Sequence, residues 1–259
     1  MEIIFLGTGT SQGVPQLALP NPGLDLSNAK NWRTRSSIHV VMDGYHIQVD
    51  AGPDFRGQCL RENISDIDVF FLTHGHSDHV VGMDDLRAFC EKNGSKPLEV
   101  YSTQEGLDRV QVIFPYAIRD VPLMPGYPVF RPIVMPRVLE TPGGKIYSTL
   151  LPHGRIDTLG LVFEERSSKK RFVYYPDCKS VPPEAMELAR GAELIVLDGL
   201  RHHEHPAHMT VKEATAVALE LKGGQTYLTH MSFLVDHQSV CDTLPKGVTL
   251  AYDGLRVSL

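Results

Sequence analysis

The sequence predicts an α/β (α+β) fold in which two mixed β-sheets pack face to face and helices cover their outer surfaces. Three observations predict it. Apolar runs of strand length recur in both halves of the chain of 259 residues. Helical segments follow the strands of each half. Side chains that can bind metals come directly after several of the apolar runs, where layered α/β scaffolds assemble their sites from loops.

Strands in the first half are predicted where short apolar runs lie between turn residues. They are Glu2–Leu6, Ser37–Met42, Tyr45–Asp50, Val69–Leu72 and Leu98–Tyr101. Asp43-Gly44 is typical of a two-residue hairpin turn between the second and the third of these strands. Apolar residues at helical spacing predict the helices Met83–Lys92, which Asn93-Gly94 ends, and Gln104–Phe114.

The second half repeats this plan. Predicted strands are Lys145–Leu151, Thr158–Phe163, Arg171–Tyr175, Leu194–Leu197 and Gln225–Thr229, and predicted helices are Pro183–Arg190 and Val211–Leu221. The proline-rich residues 115–145 exclude a regular helix and predict irregular edge strands, with a loop that lies on the substrate side or forms a homodimer contact. No segment resembles a linker, so residues 1–259 are expected to form one domain.

The composition is that of an ordinary globular protein, with 42% hydrophobic and 22% charged residues. A net charge of −6 argues against a large nucleic-acid footprint, which needs a basic face. No apolar run reaches the roughly 20 residues of a membrane span, and the start lacks the features of a signal peptide. We therefore expect a soluble cytoplasmic protein without a membrane partner. The four cysteines form no C-x-x-C pair, which disfavours disulfides and thiolate zinc sites.

The stretch from Asp68 to His79 is the most informative part of the chain. An apolar run, Val69–Leu72, breaks into His74, His76, Asp78 and His79, with small residues between them that allow tight turns. In an extended segment His74 and His76 project to the same side. Asp78 and His79 would begin the next element and face a second point. This ligand mix suits zinc, manganese or iron, whereas the alternative is a histidine-rich surface loop.

Further candidate ligands follow other strand-like runs. They are His153, Asp177 and His230. Taken singly, each has a structural interpretation, as a capping aspartate or as a histidine bonded to backbone. Together with the first cluster they make seven groups, which is enough for two ions that share a bridging carboxylate and a bridging water.

The chain resembles the metallo-β-lactamase superfamily. The resemblance rests on Thr73-His74-Gly-His76-Ser-Asp78-His79, on Val49-Asp50-Ala51-Gly52, and on His153, Asp177 and His230. Gly7-Thr-Gly9-Thr-Ser-Gln-Gly13-Val-Pro15 and Leu228-Thr-His230-Met-Ser232 resemble the branch of phosphoribosyl 1,2-cyclic phosphate phosphodiesterases and, more distantly, tRNase Z. The resemblance covers residues 5 to about 254. It implies a four-layer αββα sandwich with metals at one edge, between the sheets.

The resemblance implies roles for these residues. His74, His76 and His153 would hold the first metal, Asp78, His79 and His230 the second, and Asp177 would bridge them. The ions would be divalent, zinc or manganese with iron as a further option, and would activate a bridging hydroxide. Asp78 is expected to contribute to catalysis as well. The relatives' cysteine cluster after Gly-Val-Pro is absent at Gln16–Lys30, so a structural zinc is not expected there.

Residues around the centre have predicted supporting roles. Asp50 would orient a ligand imidazole, unless it is simply a turn aspartate before Gly52. Thr210 and Glu213 form a capping box, which places His208 just ahead of a helix as general acid or phosphate contact. His203 is a weaker neighbour, and His202 and His205 are interpreted as residues of a solvated turn.

Arginine and glycine motifs near the start of the chain carry two further predictions. Arg33 and Arg35 would bind a distal phosphate, with a solvated surface pair as the alternative. The glycines from Gly7 to Gly13 lack dinucleotide spacing, and Pro15 lies where that motif needs a helix, so they predict a tight loop near the metals.

The leading functional hypothesis is a dinuclear metal-dependent phosphodiesterase acting on a small cyclic phosphate of a sugar or nucleotide. Its partner would be this small phosphorylated substrate. One alternative is a metallohydrolase of a lactone or thioester. Another is a non-catalytic metal-binding accessory protein of cofactor biosynthesis, a class to which a related branch belongs.

Overall fold

The computed structural model describes residues 1–259 and contains two sheets of seven strands. In spatial order the first sheet consists of β14 (Arg256–Ser258), β1 (Glu2–Gly7), β2 (Ser37–Met42), β3 (Tyr45–Val49), β4 (Val69–Phe71), β5 (Leu98–Ser102) and β6 (Phe130–Val134). The second consists of β13 (Val248–Leu250), β12 (Gln225–Thr229), β11 (Leu194–Asp198), β10 (Arg171–Tyr175), β9 (Ile156–Glu165), β8 (Gly144–His153) and β7 (Val138–Thr141).

Both sheets are mixed in the same way. The strands β3 to β6 run parallel to one another, as do β10 to β13, while the remaining neighbours are antiparallel. Because parallel strands end at one edge of a sheet, the loops after β3, β4, β10, β11 and β12 gather there. This edge is where the sequence places most of its metal-competent side chains.

Helices cover the outer faces of the sheets. They are α1 (Phe55–Glu62), α2 (Ser77–Val80), α3 (Arg87–Lys92), α4 (Gln104–Ile113), α5 (Pro183–Ala189), α6 (Val211–Leu221) and α7 (His237–Cys241). One apolar cluster lies between the sheets and draws on both, with Phe5 and Phe71 from the first and Phe163 and Phe172 from the second. Each sheet has one further apolar cluster, which lies between the sheet and the helices that cover it. The predicted four-layer αββα sandwich is confirmed.

Several predicted bounds differ from those observed. The chain over Val81–Leu86 is a 3₁₀ helix, and the α-helix predicted to begin at Met83 begins at Arg87. The amide of Gly82 donates to the carbonyl of Ala51, so a tertiary contact fixes this segment. Helix α1 was not predicted, because its sequence offers little apolar periodicity. The hairpin turn at Asp43-Gly44 is confirmed, with positive φ at both residues.

The proline-rich segment contributes one edge strand to each sheet, as predicted. Strand β6 ends the first sheet and contains Pro132, which an edge strand tolerates. Strand β7 ends the second sheet. None of the helices is long and apolar enough to cross a membrane.

Candidate metal centre

The seven candidate ligands lie at the edge where the parallel strands end. His74 and His76 follow β4, and Asp78 and His79 lie in the short helix α2. His153 is the last residue of β8. Asp177 follows β10, where its carbonyl accepts the Thr158 hydroxyl (2.7 Å), and His230 follows β12 with a left-handed backbone (φ 57°). Strands from both sheets therefore supply this one site.

The first group of donors consists of three imidazoles. Nε2 of His74 lies 2.9 Å from Nδ1 of His76, and Nε2 of His153 lies 3.3 Å from the same atom. The other nitrogen of His153 is bonded to the carbonyl of Ala207 (3.0 Å), which orients the ring. These three rings are the set that the resemblance implies for a first metal, and one ligand atom from each can meet at a common point.

The second group combines two carboxylates with two imidazoles. Nε2 of His79 lies 3.2 Å from Oδ2 of Asp78 and 3.3 Å from Oδ2 of Asp177. Nε2 of His230 lies 3.0 Å from Oδ2 of Asp177 and 3.6 Å from Oδ2 of Asp78. Asp177 also comes within 4.0 Å of His74 Nε2 in the first group. Its carboxylate thus lies between the two groups, the position predicted for a bridge.

The hydrogen bonds that these atoms make or lack show whether the site fits metal ions. Nε2 of His79, Nε2 of His230 and Oδ1 of Asp177 are buried and have no hydrogen-bond partner in the protein. Leaving several polar atoms so close together without partners is costly, and a bound cation removes that cost. Imidazole nitrogen and carboxylate oxygen are donors that zinc and manganese accept. The residues fit divalent metal ions.

Electrostatics within the centre shift the titration of its members in opposite directions. Burial alone would lower the pKa of His79, but the carboxylates of Asp177, Asp78 and Asp50 raise it well above its usual value. Burial and the neighbouring His79 lower the pKa of His74 well below its usual value. Burial opposes ionisation of Asp177, yet His230 and His79 lower its pKa. The carboxylate of Asp177 is therefore ionised and available as a ligand.

Asp50 makes the contact predicted for it. The residue is fully buried, with a left-handed backbone (φ 60°) that turns the chain at the end of β3. Its carboxylate accepts the amide and hydroxyl of Thr73 (2.8 and 2.9 Å) and lies 2.7 Å from Nδ1 of His79. Asp50 thereby fixes the His79 ring and directs Nε2 to the second group, which a simple turn aspartate would not do.

His208 lies beside both groups. Its ring stacks on His230 at a centroid distance of 4.7 Å and meets the edge of His153 at 4.6 Å. Burial and His230 lower the pKa of His208 to about 4, so the imidazole is neutral at pH 7. The predicted capping box is present, with Thr210 Oγ1 accepting from the Glu213 amide (3.1 Å) and Glu213 accepting from the Thr210 amide (2.7 Å).

Sequence reasoning missed Asp198, which holds His208 in place. Asp198 is the last residue of β11 and is fully buried. Its Oδ2 accepts the Cys178 amide (2.9 Å) and lies 2.6 Å from Nδ1 of His208. With Nδ1 bonded to Asp198, Nε2 is the ring nitrogen of His208 that is left for another partner. The signal that singles out Asp50, an aspartate ending an apolar run just before a turn, is also present at Asp198-Gly199.

The two predicted arginines differ in their surroundings. Arg33 is only 1% exposed, and its guanidinium donates to the Ser232 carbonyl (3.2 Å) and to Asn31 Oδ1 (2.9 Å). Arg33 is therefore closed to a substrate, and the alternative of a solvated pair is wrong for it as well. Arg35 is half-buried and paired with Asp54 (3.1 Å). His203 is exposed, and its role stays a prediction.

The glycine-rich loop lies next to the centre, as predicted. The amide of Thr10 donates to the carbonyl of Met231, the residue after His230 (3.1 Å). A Cβ on Gly9 would stand 2.8 Å from the carbonyl oxygen of Arg33, so only glycine allows this approach. The loop and the segment after β12 are thereby held together.

Comparison with known proteins identifies the family. The family model described as the beta-lactamase superfamily domain matches residues 45–231, which include all seven candidate ligands. The chain belongs to the metallo-β-lactamase superfamily. The resemblance predicted from the motifs is confirmed, and the arrangement of its strands and helices is that of a metallo-β-lactamase hydrolase fold.

Individual relatives show how far the similarity extends. A diphosphatase from the PhnP family, known from a crystal structure, is 31% identical with a TM-score of 0.86, over 99% of this chain and 96% of that one. Zinc-bound PqqB from Methylobacterium extorquens has a TM-score of 0.82 over both full chains but is 22% identical, which shows the fold alone. An octanoyltransferase of Porphyromonas gingivalis is 32% identical over 260 residues, 98% of this chain. This chain spans about half (51%) of that relative's length.

Proposed function

We propose that this protein is a dinuclear metal-dependent phosphodiesterase that hydrolyses a small cyclic phosphate of a sugar or nucleotide. The observation that carries the proposal is the pairing of two adjoining donor groups with a neutral imidazole, His208, at their border. The similarity to a diphosphatase at 31% identity over nearly the whole chain supports phosphorus chemistry. The zinc in the PqqB relative supports a divalent metal in this fold.

The candidate ligands and Asp50 have distinct roles in this proposal. His74, His76 and His153 would hold one ion, and Asp78, His79 and His230 the other, with Asp177 between them. Bound zinc or manganese, or iron, would make water nucleophilic at neutral pH and would neutralise charge on a phosphoryl group. Asp50 holds the orientation of the His79 ring through its 2.7 Å contact with Nδ1. Without that contact the ring would be free to rotate away from the second group.

The leaving oxygen requires a proton, and His208 is placed to deliver it. Nδ1 is bonded to Asp198, so the free nitrogen is Nε2, on a ring that contacts His153 and His230. A neutral imidazole there can accept the proton that the attacking water loses and pass it to the leaving oxygen, with Asp198 stabilising the charged form. The helix that starts at Thr210 limits the movement of His208, because the capping box fixes the chain two residues further on.

The test combines metal analysis with a substrate screen. Purified protein with its metal content measured is assayed against phosphodiester, phosphomonoester, lactone and thioester probes. We expect phosphodiester hydrolysis, and replacement His208→Ala should lower kcat by roughly 10²- to 10⁴-fold while metal content stays the same. His202→Ala is the matched control, since this histidine is exposed on the same loop.

The outcomes separate the candidate functions. Full phosphodiester turnover in His208→Ala would remove this residue from the mechanism. Activity on lactones or thioesters alone would identify a hydrolase of non-phosphate bonds. Lack of hydrolysis of every probe with both groups metal-loaded would refute the enzyme and favour a binding protein.

A further inference from the structure

The loop between β11 and α6 carries a second histidine next to His208, to which the proposed mechanism gives no role. His205 is half-buried, and the centroid of its ring lies 5.0 Å from that of the His208 ring. Its Nδ1 lies 3.2 Å from the backbone amide of Ala207. These contacts do not fit the solvated turn that the sequence predicts for His205, whereas His202 is exposed as predicted.

The contact with the backbone decides which ring nitrogen of His205 carries the proton. An amide N–H can only donate, so Nδ1 is the acceptor, and the ring that makes this contact is neutral with its proton on Nε2. This is the only hydrogen bond that the His205 ring makes within the protein. The Nε2–H group of His205 is therefore a donor that remains available to a ligand.

The backbone on both sides of His205 is held in place. The Ala207 amide donates to His205, and the Ala207 carbonyl is bonded to Nδ1 of the candidate ligand His153 (3.0 Å). Arg201 donates to the carbonyls of the two residues that precede His205 (3.1 and 2.9 Å). Because its position is fixed before a ligand arrives, the imidazole loses little freedom when it binds one.

His205 lies outside the two groups of candidate metal ligands. No combination of side chains that could hold a metal ion in the centre includes it. Its ring contacts that of His208, and the ring of His208 in turn contacts those of His153 and His230. His205 is therefore positioned for a part of the substrate beyond the oxygen that His208 protonates, rather than for the phosphoryl group at the metals.

We propose that His205 is a substrate-binding residue that donates a hydrogen bond from Nε2 to an uncharged oxygen of the leaving group. The inference rests on the proposed function and deepens it. A neutral N–H donor suits a hydroxyl or ring oxygen. The leaving group of a sugar or nucleotide cyclic phosphate carries such oxygens close to the leaving oxygen. His205 and His208 thus contact neighbouring oxygens of the same group, one by binding and the other by proton transfer.

Two replacements separate this role from a purely structural one. His205→Asn keeps an amide oxygen near the position of Nδ1, so it can still accept from Ala207, but it has no donor near the position of Nε2. His205→Gln places an amide donor near the position of Nε2 and gives up the contact with Ala207. Substrate binding by His205 therefore predicts a loss of activity in His205→Asn and its retention in His205→Gln, and a purely structural role predicts the opposite.

The experiment measures kcat/KM of metal-loaded protein on adenosine 2′,3′-cyclic phosphate and on bis(4-nitrophenyl) phosphate. The leaving group of the second compound has no oxygen next to the leaving oxygen. His205→Asn should lower kcat/KM for the nucleotide roughly 3- to 10-fold, through KM, as expected for one neutral hydrogen bond. Its metal content and its turnover of the nitrophenyl ester should stay near wild type. His205→Gln and the control His202→Asn, which changes the exposed histidine of the same loop, should stay near wild type on both compounds.

Failure of this inference can be told apart from failure of the proposed function. Unchanged kcat/KM for the nucleotide in His205→Asn overturns the role of His205, as does an equal loss on both compounds, which would show that the residue only supports the loop. Hydrolysis of neither compound by metal-loaded wild type refutes the phosphodiesterase. If the nucleotide is not hydrolysed, its calorimetric binding tests His205 by itself: weaker binding to His205→Asn than to wild type supports the inference, and equal binding or none overturns it.

Discussion

Asp198 provides the sharpest test of the proposed proton transfer, because its side chain is bonded to His208 and is closed to a substrate. Its carboxylate is fully buried, so it cannot touch a substrate, and its Oδ2 lies 2.6 Å from His208 Nδ1. Burial raises the pKa of Asp198 well above its usual value, so its ionised form depends on the groups that contact it, the Cys178 amide and His208. The replacement Asp198→Asn keeps the shape of the side chain and abolishes its capacity to carry a negative charge. The replacement Asp198→Ala removes the acceptor altogether.

The size of the effect follows from the hydrogen bond that each replacement weakens or removes. A hydrogen bond to a charged group contributes ~1.5–3 kcal/mol, and a neutral one ~0.5–1.5 kcal/mol. An amide oxygen can still accept from the Cys178 amide and from His208, so Asp198→Asn sacrifices only the difference, about 1.4 kcal/mol, or about tenfold in kcat. Asp198→Ala leaves His208 without any acceptor at Nδ1 and should lower kcat by roughly 100-fold.

The assay is steady-state hydrolysis of a phosphodiester by metal-loaded variants. In both Asp198 variants kcat should fall while KM and metal content stay near wild type. Glu220→Gln, which changes an exposed carboxylate of α6, serves as the control. A kcat within twofold of wild type in Asp198→Ala would refute the argument, as would equal decreases of kcat in the two variants accompanied by loss of metal.

Three further predictions concern metal binding, folding and pH. Asp177→Asn should lower bound metal well below the wild-type content, measured by elemental analysis, because its carboxylate lies between both groups. Thr210→Ala should reduce the free energy of unfolding in urea by ~1 kcal/mol, because it removes an N-cap. Burial lowers the pKa of His39 from 6.5 to about 4, so the unfolded chain binds more protons between these values, and stability should fall as the pH is lowered from 6.5 to 4. His39→Gln should remove up to ~3 kcal/mol of this loss, measured by urea unfolding at pH 7 and pH 4.5.

Each of these has a contrary result. Wild-type metal content in Asp177→Asn would show that the carboxylate is not a ligand. An unchanged urea midpoint in Thr210→Ala would show that the capping box does not stabilise α6. An equal loss of stability in wild type and His39→Gln on acidification would assign the acid sensitivity to other groups.

The fold was predictable where local signals agree with tertiary packing. Apolar runs such as Val69–Leu72 became buried strands, and the hairpin at Asp43-Gly44 formed because both residues accept a positive φ. Prediction failed where contacts distant in sequence decide the conformation. The segment Val81–Leu86 is 3₁₀ rather than α-helical, because the backbone of Gly82 is bonded to Ala51.

The same holds for the candidate site: residues with a local sequence signal were predicted, and features that depend on tertiary contacts were not. His74 to His79 were recognised because a short motif carries their spacing, and His153 and Asp177 because each follows an apolar run. The sequence around Arg33 could not reveal that this side chain is buried. Its two acceptors, Asn31 Oδ1 and the Ser232 carbonyl, are brought to it only by folding. Asp198 carried a usable signal, but its meaning depends on the 2.6 Å contact with His208.

The sequence by itself determined the superfamily, the layered fold and the set of candidate ligands, because strand patterns and the spacing of metal-competent residues are local properties. The tertiary structure decided which residues surround that set. It buried Arg33 and connected Asp198 to His208. These relations join residues of different elements, and they exist only once two sheets have brought the ends of their parallel strands to one edge.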